Sequence, residues 1–97
     1  MKKQVILTIL FDYYGELLTL KQRNYFKDYY FENYSLSEIA ENYGISRNAV
    51  HKQLKIIEEK LMYYESVLAL SEKSKLLDKL ADKINDENLK KQIKDIL

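Results

Sequence analysis

The stretch 35–54 constrains the fold of this chain more than any other part of its sequence. Ser35 is a suitable helix N-cap, and Glu38 three residues later completes the spacing of a capping box. Gly44 stands where that helix must end, because glycine adopts a left-handed conformation at little energetic cost. Ser46 can cap a second helix directly after the turn. The stretch therefore predicts two helices joined by a tight turn.

Small and apolar side chains in this stretch set the angle between the two helices. Ile39 and Ala40 form an apolar stripe on the first helix, and Ala40 must be small because the second helix crosses close to it. Val50 and Leu54 give the second helix its buried face. This arrangement is typical of a helix-turn-helix, whose second helix enters the DNA major groove. The alternative is an ordinary helical hairpin, which the two caps around a glycine turn disfavour.

Composition points to one small helical domain. The chain has 97 residues, no Pro and only two Gly, which favours helices joined by short connections. Its net charge of +1 means that nucleic-acid binding would have to come from a local basic face. Cys is absent, which excludes disulfides and thiolate metal sites. The apolar run 5–7 is too short to span a membrane, so we expect a cytoplasmic protein.

Two helices are predicted before the helix-turn-helix. Apolar residues recur every three or four positions over 3–18, which predicts a first helix there. Gly15 inside this helix implies close packing against a neighbouring helix. Thr19 and Gln22 make a second capping box, which opens a helix ending near Phe31. The sequence thus predicts an all-α fold with a compact trihelical head.

The helical pattern that starts at Arg47 continues further than a recognition helix requires. One continuous helix to about Glu72 would be roughly 40 Å long at 1.5 Å per residue. We assign residues 1–56 to the head and residues 57–97 to an extension within the same single domain. The apolar positions of the long helix alternate steps of four and three, which predicts a homodimer seam made of Leu54, Ile57, Leu61, Tyr64 and Leu68.

The C-terminal quarter predicts two shorter helices. Ser74 is a candidate N-cap for the first of them, and Asn85 with Asp86 marks a break after it. The apolar residues of the last helix are Leu89, Ile93, Ile96 and Leu97.

The exposed face of the second motif helix carries the candidate nucleic-acid contacts. Arg and Asn side chains suit guanine and adenine edges, and Lys suits phosphate. An ordinary solvated face is the alternative, which the surrounding motif disfavours. The predicted contact residues are Ser46, Arg47, Asn48, His51, Lys52 and Lys55.

No catalytic, metal or cofactor site is expected. His51 is the only histidine, and no carboxylate cluster accompanies it in the sequence. Asp12 and Glu16 lie one helical turn apart, a spacing that is far more often solvated charge than a catalytic pair. The sequence has neither a nucleophile–base pairing of recognisable spacing nor a glycine-rich phosphate loop.

The nine tyrosines allow a base-stacking interpretation, because aromatic side chains stack on unpaired bases. Most of them fall on the apolar stripes of their helices, so we expect core and interface filling instead. Tyr13, Tyr30 and Tyr63 are the candidates for surface aromatics.

Two levels of resemblance follow from these residues. The run 18–23, Leu-Thr-Leu-Lys-Gln-Arg, followed by Ala40, Gly44 and Val50, resembles the C-terminal promoter-binding region of bacterial sigma factors. Over nearly the whole chain, Gln22 and several short segments are similar to the YlxM family, namely 11–14, 17–19, 29–30, 34–36, 38–40, 46–50 and 64–65. The match weakens after about Ser71.

The resemblance to the YlxM family implies a function as well as a fold. Those proteins are small helix-turn-helix proteins encoded beside the genes of the signal recognition particle GTPases. The resemblance implies an all-α, sigma-region-like fold and a regulatory or accessory role in that pathway. We therefore expect a DNA-binding regulator, and the seam of the long helix predicts that it acts as a homodimer. The alternative is an accessory factor that binds the signal recognition particle RNA or its GTPase, which the balanced net charge keeps open.

Overall fold

The computed structural model describes residues 1–96 of the protein, and this part of the chain is entirely helical and loop, without a strand. The all-α prediction is therefore confirmed. A single 3-10 turn covers 15–17 after the first helix. The α-helices are α1 (Lys3–Tyr14), α2 (Leu20–Tyr30), α3 (Leu36–Tyr43), α4 (Arg47–Leu68), α5 (Leu70–Ala81) and α6 (Glu87–Lys94).

The predicted caps form as the sequence indicates. Thr19 and Ser35 each make a complete capping box, with Gln22 and Glu38 respectively. Gly44 has φ 65° and ψ 34°, in the left-handed region. The amide of Gly44 donates to the carbonyl of Glu41, and the amide of Ile45 donates to that of Ala40 at 3.0 Å. This pair of hydrogen bonds closes the C-terminus of α3 in a Schellman motif.

One core joins the head to the middle of α4. Ile39 and Ala40 of α3 belong to the same buried cluster as Val50 of α4, and α3 packs directly on α4. The cluster takes side chains from α1, α2, α3 and α4 as well as from the segment before α2. Its buried members are Leu7, Leu10, Tyr14, Leu18, Tyr25, Phe26, Ile39, Ala40, Val50, Leu54, Ile57 and Leu61.

Three residues of the predicted dimer seam belong to this core. Leu54 is 3% exposed, and Ile57 and Leu61 are fully buried within one copy of the chain. The head itself covers these three positions, because α1 and α2 both pack along α4 beyond the motif. Of the remaining seam residues, Tyr64 packs partly against the core and Leu68 is 40% exposed. The homodimer itself stays a prediction.

The long helix ends earlier than its apolar pattern predicts. α4 stops at Leu68, about 33 Å from its start, and Ala69 adopts a left-handed conformation with φ 53°. α5 begins at Leu70, so Ser74 lies inside α5 and is not its N-cap. The predicted break near residue 85 is confirmed, and Asp86 caps α6 by accepting from the amides of Asn88 and Leu89. The predicted apolar position Leu97 lies outside the described residues.

Gly15 has a different neighbour from the one the sequence suggests. α1 ends at Tyr14 rather than near Leu18, and Gly15 has an ordinary helical φ of −56°. A Cβ at Gly15 would lie 3.2 Å from the ring of Phe11, which belongs to α1 itself. That ring is stacked on Phe26 of α2, with centroids 4.4 Å apart. Glycine therefore leaves room for the Phe11–Phe26 stack. The neighbouring helix α2 does not contact Gly15 directly, but holds the Phe11 ring that would meet a Cβ there.

Candidate nucleic-acid interface

The first turns of α4 present an ordered and accessible helix face. Ser46 caps the helix, and its Oγ accepts from the amide of Ala49 at 3.0 Å. Every predicted contact residue is exposed. At about 100° per residue, the five that lie within α4 fall inside an arc of about 140°. These residues, together with the cap, are called the reading face: Ser46, Arg47, Asn48, His51, Lys52 and Lys55.

The electrostatics of the two motif helices differ at their N-termini. α3 carries Glu38 in its first turn, where the backbone amide of Ser35 donates to the carboxylate and lowers the pKa of Glu38. α4 has no acidic residue in its first turn, so the positive end of its dipole is free for an external anion. Within residues 1–96, the cations Arg47, Lys52 and Lys55 form no ion pair. The N-terminus of α4, where the reading face lies, is therefore more suitable for binding phosphate than the N-terminus of α3.

Polar contacts from other helices fix the orientation of the motif. The hydroxyl of Tyr30 donates to Glu58 at 2.7 Å, and the ammonium of Lys3 lies 2.9 Å from the other oxygen of the same carboxylate. Burial raises the pKa of Tyr30, and the bond to Glu58 adds to this increase. On α3, Tyr43 donates to Asp28 of α2 at 3.1 Å. These contacts link α1 and α2 to α4, and α2 to α3, so the two motif helices are held against the rest of the head.

The sequence did not predict these contacts, because their partners lie in different helices and no local pattern links them. Of the three tyrosines singled out as candidate surface aromatics, only Tyr63 is strongly exposed, at 64%. Tyr13 and Tyr30 are half-buried and pack against the core. Tyr29 and Tyr34, which were not singled out, are exposed at 36% and 39%.

An apolar groove lies beside the reading face. It has a volume of about 730 Å³ and runs between the start of α1 and the outer side of α4. Met1 and Ile6 line one wall, and Met62 and Tyr63 line the other. Lys55 stands in the groove lining as well as on the reading face, so the two surfaces are continuous.

Residues 1–96 offer neither a metal-binding cluster nor a helix that could span a membrane. No group of three or more His, Asp or Glu side chains among residues 1–96 is placed to hold a metal ion. None of the helices in the same part of the chain is both long and apolar enough to cross a bilayer.

Comparison with known proteins agrees with this geometry. A family model described as "Putative helix-turn-helix protein, YlxM / p13 like" (UPF0122) matches residues 1–97, and that description names no enzymatic activity. The UPF0122 protein lin1916 of Listeria innocua is 42% identical over 96 residues, covering 94% of this chain and 87% of that protein. The UPF0122 protein OB1530 of Oceanobacillus iheyensis is 43% identical over 95 residues, covering 94% of this chain and 90% of that protein. A UPF0122 protein of Anoxybacillus flavithermus is 43% identical over 102 residues, covering 96% of this chain and 93% of that protein. The chain therefore belongs to the UPF0122 (YlxM/p13-like) family.

Proposed function

We propose that this protein is a DNA-binding regulator that places the first turns of α4 in the major groove. The observation that carries the proposal is the reading face itself. It combines base-reading and phosphate-binding side chains on one exposed arc at the N-terminus of the second motif helix. The Schellman turn at Gly44 and the packing of Ala40 against α4 support the geometry that such an insertion requires.

The side chains of the reading face divide into two roles. Arg47, Asn48 and His51 are assigned to base edges, because their planar groups donate and accept in fixed directions. Lys52 and Lys55 are assigned to phosphates, with Ser46 beside them at the helix N-terminus. Three phosphates per protomer give a log–log salt slope of about −2.7, or about −5 for a dimer.

The experiment begins by selecting a preferred duplex from a randomised pool with the wild-type chain. Fluorescence anisotropy then compares that duplex with a scrambled one. Arg47→Ala should weaken binding to the preferred duplex by about 1–3 kcal/mol and leave the scrambled duplex unchanged. Lys52→Ala should weaken binding to both alike and flatten the salt slope by about one unit per protomer.

Lys79→Ala is the matched control, because Lys79 is an exposed lysine of α5 outside the reading face. Its affinity for either duplex should equal that of the wild type. If the selection finds no preferred sequence and Lys79→Ala weakens binding as much as Lys52→Ala, the binding is diffuse and the proposal is wrong.

A second candidate function is docking to the signal recognition particle RNA or its GTPase. It is supported by the net charge of +1, which is low for a dedicated DNA binder, and by the apolar groove beside the reading face. Competition between labelled duplex DNA and the particle RNA separates the two candidates. RNA that displaces DNA at stoichiometric concentration, with no sequence-dependent duplex binding at low salt, would favour the second.

A further inference from the structure

The sequence around Ala69 contains no local signal that ends a helix. Both glycines of the chain precede α4, at Gly15 and Gly44, and the chain has no proline. Residues 66–72 read Ser-Val-Leu-Ala-Leu-Ser-Glu, without a glycine or asparagine that would favour a left-handed residue. Ala69 nevertheless has φ 53° and ψ 34°. A left-handed alanine is strained, because its Cβ crowds the following carbonyl oxygen.

Tertiary hydrogen bonds hold this bend in place. The amide of Leu70 donates to the hydroxyl of Tyr14 at 2.9 Å, and the amide of Ser71 donates to Glu65 at 3.2 Å. The Tyr14 hydroxyl itself donates to Glu65 at 2.6 Å. In an uninterrupted helix the same two amides would instead bond to the carbonyls four residues before them. The bend thus replaces ordinary helical bonds with one bond to Tyr14 of α1 and one to Glu65 of α4, whose carboxylate also accepts from Tyr14.

The segment beyond the bend is a small unit with limited attachment to the head. α6 packs mainly on α5, and α5 meets the head mainly at α1, with Leu70 at the edge of the core. The α5–α6 hairpin can therefore separate from α1 without disturbing the packing of α2, α3 and α4.

We propose that Ala69 is the hinge of a domain-exchanged homodimer. In that state α4 and α5 form one helix over 47–81, about 52 Å long, and the hairpin of each copy packs on α1 of the other. A second copy is the occupant that fits the exposed side of α1, because it carries the same hairpin and restores the packing of α5 on α1 beyond the hinge. Exchange also removes the strain at both Ala69 residues and gives the amides of Leu70 and Ser71 helical partners.

The test is refolding from urea at protein concentrations from one to several hundred micromolar, followed by sedimentation velocity. The wild-type chain should form a dimer whose fraction rises with the concentration during refolding. Ala69→Gly should raise the dimer dissociation constant by about a hundredfold. Glycine removes the strain of the left-handed residue, which favours the bent monomer about tenfold at each of the two hinges. Tyr14→Phe should shift the equilibrium toward dimer, because the bend then leaves the Leu70 amide without its partner.

Ala49→Gly is the control, since it makes the same replacement inside α4, where the helix is intact in both states. It should lower stability and leave the monomer–dimer equilibrium unchanged. If Tyr14→Phe does not fold, the comparison of Ala69→Gly with Ala49→Gly still decides the question. A wild-type chain that is monomeric throughout, or a dimer that Ala69→Gly leaves as stable as before, would overturn the proposal.

Discussion

Replacing Gly44 by alanine tests the turn on which the motif depends. Gly44 has φ 65°, and a Cβ built at this position meets no other atom within 4 Å. The cost of Gly44→Ala is therefore confined to the backbone, where a left-handed residue loses about 1–2 kcal/mol. Alanine also reduces the entropy of the unfolded chain, which returns about 0.4–1 kcal/mol. The free energy of unfolding should fall by about 1 kcal/mol, which lowers the Tm by about 4–8 °C.

Two further substitutions at the same position make the result interpretable. Gly44→Asn should lose less stability than Gly44→Ala, because asparagine tolerates the left-handed region better than alanine. Gly44→Val should lose more, about 2–3 kcal/mol, because a β-branched side chain is strained there. Thermal and urea melts followed by circular dichroism measure all three. The backbone argument would be contradicted if Gly44→Ala were as stable as the parent. It would also be contradicted if Gly44→Asn were less stable than Gly44→Ala.

Three other changes have outcomes fixed by the structure. Ala40→Leu should cost about 1–3 kcal/mol in a urea melt, because it overpacks the crossing of α3 and α4. Leu61→Lys should unfold the chain rather than separate a dimer, because Leu61 is fully buried within one copy, and loss of the helical signal would show this. The folded-state pKa of Glu38 lies below its ordinary value of 4.5, so the stability from this cap is present above that pH and is lost as the pH falls through the folded pKa. Glu38→Gln should therefore flatten the acid side of the stability profile.

The caps and the turn depend on neighbours a few residues apart, so they can be predicted without the structure. Capping boxes join residues three positions apart, and the Schellman turn needs only a glycine at the right place. The helix-turn-helix was predictable for that reason. The reading face was predictable too, since the helical period alone places its residues on one side of α4.

The end of α4, and the availability of its apolar residues to a partner, depend instead on packing between helices. The apolar period of 54–68 is the same for a dimer seam and for a buried core, and it is the packing of α1 and α2 that makes Leu61 a core residue. The bend at Ala69 depends on Tyr14, which is 56 residues from Leu70 in the chain and which no local pattern connects to it. A helix end that a side chain of another helix stabilises cannot be predicted from the residues next to that end. Its position follows from the balance between a strained residue and the contacts that the strain makes possible.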